Sequence, residues 1–153
     1  MKSKILFLLA LSFAGLTLFA QKKEPAPKKE KDKVLVNRAY TVYFNETGTK
    51  KPGKPVEDEI GFKGGKINSK YINGELHFAA SPYTVTVDSS SSPVEITFES
   101  ESKNVDEDAI KIEGTITEDA IEGTAVVTTK KGKTKAEYAF SGNQKEKPVK
   151  GKK

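Results

Sequence analysis

One histidine, His77, and one arginine, Arg38, are the scarce reactive side chains of this 153-residue sequence, which contains no cysteine. A Ser-His-acid relay has to use His77, and no Gly-x-Ser-x-Gly elbow presents a nucleophile to it. A zinc site lacks ligands, because His and Cys are nearly missing. No Gly-x-Gly-x-x-Gly run or phosphate loop occurs, and Gly64-Gly65 reads as a turn. Asp106-Glu107-Asp108 could bind calcium weakly, but its spacing matches no EF-hand loop, so a solvated acidic loop is the simpler reading. Enzyme chemistry is therefore not expected, and no metal or cofactor is implied.

Binding is the chemistry that remains. If Val34, Val36, Tyr40, Val42 and Phe44 face one side of a strand, Arg38 faces it too. A buried guanidinium needs a partner, such as a ligand carboxylate or phosphate. Tyr40, Tyr83 and Tyr138 could add hydroxyls, and Phe98 and Phe140 ring surface. The plainer alternative is an Arg that stacks on a ring or reaches out to water, with the phenylalanines as ordinary core.

These residues must be positioned by strands. In IKIEGTITEDAIEGTAVV, Ile110–Val127, a reversal at Glu118-Asp119 pairs Ile110/Val127, Ile112/Ala125, Gly114/Gly123 and Ile116/Ile121 on one apolar face. The other face is mostly polar, so a one-residue slip would mix the two. A two-residue turn at Lys131-Gly132 then pairs Thr129/Thr134, Val127/Ala136, Ala125/Tyr138 and Gly123/Phe140. A ring thus lies over a residue with no side chain, a small-against-large pattern suited to a tightly coiled sheet. Gly114 is expected to serve Phe98 in the same way.

Earlier segments continue the alternation. Across Ser89–Ser92 the expected pairs are Val87/Val94, Val85/Ile96 and Tyr83/Phe98. Gly64-Gly65 turns a hairpin pairing Phe62/Ile67, with Glu59 opposite Lys70. Asn73-Gly74 suggests another, pairing Tyr71 with Leu76 and placing His77 opposite Lys70 on the polar side as a solvated residue. The first strand is VLVNRAYTVYF, residues 34–44. The expectation is an all-β, up-and-down antiparallel meander of eight or nine strands closing into a small barrel, with a β-sandwich as the alternative.

The ends differ from this body. Lys2 and Lys4 precede an apolar run, Ile5–Ala20, which reads as a signal peptide over residues 1–20, leaving no transmembrane segment after its removal. Residues 21–33 hold 6 Lys against 3 acids, and residues 144–153 hold 5 Lys against 1 acid. Both read as disordered basic tails, one a linker and one a C-terminal tail, around a domain at 34–143. That domain keeps 13 basic against 17 acidic residues. Nucleic acid is not an expected partner, because no basic patch lies among aromatics in the body. The tails could meet an anionic envelope surface, or serve as solvated spacers.

The runs IEGTITEDAIEGTAVV and YAFSG (Tyr138–Gly142) make the chain resemble the calycin group, the lipocalin-like and avidin-like barrels. DEIGFKGG, Asp58–Gly65, is similar to a D-x-I-x-F-x-x-G run of small exported bacterial envelope proteins. The chain has no Trp, which both calycin families use, so their ligands are not carried over. The expected function is a non-catalytic exported protein, lipocalin-like, taking a small apolar or amphipathic ligand between aromatic walls. Its expected site is Arg38, Tyr40, Tyr83, Phe98, Tyr138 and Phe140. The alternative is a structural or interaction module of the envelope with a filled core, docked through its basic tails. The expected location is the periplasm or exterior of a Gram-negative bacterium.

Overall fold

Period-two alternation produces eight antiparallel strands, each paired with the next, and the eighth returns to the first to close a barrel. The computed structural model describes residues 33–51 and 53–145; the expected signal peptide and most of both tails lie outside them. The strands are β1 (Ala39–Thr47), β2 (Val56–Lys63), β3 (Lys66–Ser69), β4 (Ser81–Asp88), β5 (Glu95–Lys103), β6 (Ala109–Thr117), β7 (Ala120–Thr128) and β8 (Thr134–Gln144). One π-helical turn, Tyr71–Glu75, separates β3 from β4. Closure pairs Phe44 with Phe140 and Tyr40 with Gln144, so β1 and β8 leave no free edge.

The β6–β7 register is the expected one, with Gly114 facing Gly123 and a two-residue turn at Glu118-Asp119. Phe140 lies opposite Gly123, and Phe98 opposite Gly114. The β2–β3 turn places Gly64 and Gly65 at φ 62° and 73°, a conformation open to glycine in a two-residue hairpin.

Four expectations are corrected. The first strand starts at Ala39, not Val34. Asn37 adopts φ 63°, and the Arg38 N–H donates to the Leu35 carbonyl at 2.9 Å. That turn breaks the alternation, so Val34 and Val36 are exposed while Leu35 is buried.

The β4–β5 register is displaced by two residues: Val87 pairs with Ile96, Val85 with Phe98 and Tyr83 with Ser100. A shift of two keeps every side chain on its face, so patterning alone does not exclude it. The longer loop decides it. Asp88 accepts hydrogen bonds from the Ser90 N–H at 2.9 Å, the Ser90 hydroxyl at 2.6 Å and the Ser91 hydroxyl at 2.8 Å. The Ser90 hydroxyl, then the Ser91 hydroxyl and then the Ser90 N–H hold its carboxyl down at about 2.

The β7–β8 tip is a three-residue loop rather than a two-residue turn. The Gly132 N–H donates to the Thr129 carbonyl, and the Thr129 N–H to the Lys133 carbonyl. Gly132 sits at φ 77°, the left-handed residue that such loops require. A bulge then restores the expected register from Val127/Ala136 inward.

The Asn73-Gly74 hairpin does not form, and Glu59/Lys70 falls beyond the last β2–β3 pair, Ile60/Ser69. Buried Asp58 provides the reason. Its carboxylate accepts from the Ser69 hydroxyl at 2.5 Å and the Tyr71 N–H at 3.1 Å. The Ser69 oxygen accepts from the Ile72 N–H at 3.0 Å, and the Asn73 side-chain oxygen accepts from the Ser69 N–H at 2.9 Å. These bonds supply partners for a helical start that a β-turn would lack. The Leu76 and Phe78 N–H groups then donate to the Tyr71 and Ile72 carbonyls. His77, at φ 60°, remains exposed in the connection that follows.

Candidate functional site

The lumen is occupied by side chains. Near the end where the chain enters, Phe62 forms the hub: its ring lies 6.1 Å from Tyr40, 5.0 Å from Tyr83 and 5.1 Å from Phe98, all edge-to-face. Toward the other end, Phe44 lies 5.3 Å from both Tyr71 and Phe140, and Tyr71 lies 5.7 Å from Tyr138. Such ring pairs add about 0.5–1.5 kcal/mol each beyond the area they bury. Leu35 and the isoleucines Ile60, Ile110, Ile112, Ile116 and Ile121 are all buried with them.

The expected site residues therefore separate into two groups and one outlier. Tyr40, Tyr83 and Phe98 gather around Phe62, whereas Phe140 meets Phe44 and Tyr138 meets Tyr71. Arg38 belongs to neither. It precedes β1, is half-buried, and is tied through its backbone to Leu35 and Phe62. Phe62, Phe44 and Tyr71 are the residues that organise the rings. Phe62 and Phe44 were legible as inward-facing alternation; Tyr71 was not, because its orientation depends on the π-helical turn.

Two hydroxyls in this core behave differently. Burial, and then the hydrogen bond with Tyr138, push the Tyr71 phenol up to about 12. The Tyr40 hydroxyl is buried with no hydrogen-bond partner among the described residues.

Depressions open on the outer wall of the barrel. One depression, of about 810 Å3, is lined by Thr84, Thr97, Glu99, Glu113 and Glu122, with Gly114 and Gly123 in its floor and the expected site residues Phe98 and Phe140 also reaching it. A second, of about 670 Å3, adjoins it across Thr41, Thr117 and Asn143. The outer wall carries Glu57, Glu59, Glu99, Glu101, Lys111, Glu113 and Glu122, unlike the apolar band of a membrane-spanning barrel.

One end of the barrel gathers both ends of the described residues. The Lys145 N–H donates to the Ala39 carbonyl at 2.8 Å, so the last described residue lies beside the first residue of β1. The Asn37 N–H donates to the Phe62 carbonyl and the Phe62 N–H to the Arg38 carbonyl, fixing the entering segment against the end of β2. The fold and this geometry define the class, a small antiparallel eight-stranded barrel with a packed lumen and both ends of its described residues on one rim. No protein-family model, curated protein or solved structure matches the chain.

Proposed function

We propose that this protein is a non-catalytic interaction module of a bacterial envelope, held to an anionic surface by its Lys-rich ends. The observation that carries the reading is the Lys145–Ala39 hydrogen bond, which puts the residue from which the C-terminal tail starts on the rim where β1 begins. Residues 21–33 and 144–153 carry 11 Lys against 4 acids between them. Attached to one rim, they act on the same surface, and two weak electrostatic contacts on one body reinforce each other. The ring-filled lumen favours this role over carriage of a ligand within the barrel, because an eight-stranded barrel can be filled by its own side chains.

The test is flotation of the chain lacking residues 1–20 with vesicles of phosphatidylglycerol and phosphatidylethanolamine. Binding is expected to weaken with salt and to fall on deletion of residues 21–32 and 146–153. Equal, negligible flotation with anionic and purely zwitterionic vesicles at low salt sinks the reading.

One observation favours the lipocalin-like alternative, a small amphipathic ligand inside. The Tyr40 hydroxyl is the kind of buried, unsatisfied group that a ligand's polar atom serves. Native mass spectrometry of protein from its own host tests it. A co-purifying small molecule supports the alternative, and a bare mass counts against it.

A further inference from the structure

The rim where the chain enters and leaves is not uniform. Lys33, Arg38, Lys63 and Lys66 fall on its β1–β2–β3 side, the first two just before β1, while Lys145, just after β8, is paired there with Glu59 of β2 at 2.5 Å. The opposite side, from β4 to β7, carries Asp88, Glu95, Glu118 and Asp119. In the basic sector, the turn at Asn37 that buries Leu35 turns Val34 and Val36 outward, leaving them 38% and 42% exposed. Two apolar side chains thus stand at the root of one Lys-rich tail, on the rim where the other also leaves.

We propose that this sector is a membrane-contact patch: Val34 and Val36 enter the interfacial region of an anionic bilayer while the surrounding lysines and Arg38 meet its headgroups. The inference rests on the proposed docking through the tails and specifies which face of the barrel meets lipid. Charge alone holds a protein above a bilayer, and a few inserted apolar groups add binding that salt does not screen. The acidic β4–β7 sector is repelled by the same surface, so the barrel rests tilted on its β1–β3 side. Val87 and Val94, each 45% exposed, lie at that same end within the acidic sector, where anionic headgroups disfavour contact.

The far end is the rival. It exposes Lys50, Lys51, Lys54, Lys131 and Lys133, and Val105 is 96% exposed there. Its Asp106-Glu107-Asp108 loop offsets part of that charge. Glu107 engages Lys130, and Asp108 engages Lys135 at 2.7 Å. Neither tail leaves from it.

The absence of cysteine allows a clean test. Single-cysteine variants Val36→Cys and Val105→Cys of the chain lacking residues 1–20 receive an environment-sensitive fluorophore. They are mixed with phosphatidylglycerol/phosphatidylethanolamine vesicles, and flotation is measured in parallel. The label at 36 is expected to shift to the blue and resist an aqueous quencher, while the label at 105 does not change. The unlabelled double variant V34S/V36S should lose roughly tenfold in partitioning at high salt and little at low salt. Flotation without any change at 36, or a blue shift at 105 in its place, overturns the contact patch while leaving docking through the tails standing. No flotation of any form overturns both.

Discussion

Phe140 lies over Gly123 so closely that a Cβ placed on the glycine would sit 2.5 Å from the ring's Cζ, with the Glu113 carbonyl nearer still. Gly114 bears the same relation to Phe98, also at 2.5 Å, on the neighbouring strands. Two rings over two facing glycines let β5 to β8 coil tightly enough to curl into a barrel this small.

Gly123→Ala should therefore lower stability by about 1–3 kcal/mol, toward the upper end because a backbone carbonyl, not only a movable ring, stands in the way. Gly61→Ala is the control, since its Cβ would meet only the Asn68 carbonyl at 4.0 Å. Urea unfolding of both variants compares them, and a loss at Gly61 equal to that at Gly123 contradicts the account.

Tyr40→Phe removes a buried hydroxyl that has no partner among the described residues. Removing an unsatisfied polar group relieves its desolvation cost, so the thermal midpoint should hold or rise, by up to about 1 kcal/mol in stability. A clear fall instead points to a polar atom serving that hydroxyl.

Asp58 organises the π-helical turn through the Ser69 hydroxyl and the Tyr71 N–H. Asp58→Ala leaves both donors without their acceptor in a buried place and should cost about 2–3 kcal/mol. Asp58→Asn keeps one acceptor oxygen and should cost less. The near-ultraviolet circular dichroism of Tyr71 and its ring neighbours reads the loosening directly.

Tyr71, followed by ultraviolet absorbance, should ionise at about 12, because burial and then the Tyr138 hydrogen bond favour its neutral form. Its folded value stands above the ordinary 10.0. Its contribution to stability is thus complete below pH 10 and is lost as pH rises from there toward 12. Tyr138→Phe should bring the Tyr71 transition down.

Hydrogen exchange should find the barrel's weakest seam between β3 and β4, which share only the pairs Lys66/Pro82 and Ile67/Ser81. The β6–β7 ladder runs unbroken from Ala109/Thr128 to Thr117/Ala120. Amides of β3 should exchange at lower free energy than those of β6 and β7.

The sequence alone determined the meander, its faces and its tightest hairpin. Alternation is a local property, and a glycine opposite a ring is readable wherever a short turn sets the register. It also marked Phe98 and Phe140 as residues nested over glycine. What it left open were choices that keep local patterning intact. A two-residue slip of β4 against β5 preserves both faces, and only the side-chain bonds of Asp88 in the loop decide it. Asn73-Gly74 reads as a hairpin until Asp58, from another strand, accepts the hydrogen bonds that start a helical turn. Val34 and Val36 alternate like core residues until Asn37 reverses the chain and Leu35 goes inward in their place. Only the tertiary structure split the expected binding residues between two ring clusters and set Arg38 at the rim. It alone brought the two ends of the described residues to one side, because closing β8 onto β1 joins residues as distant in sequence as Tyr40 and Gln144.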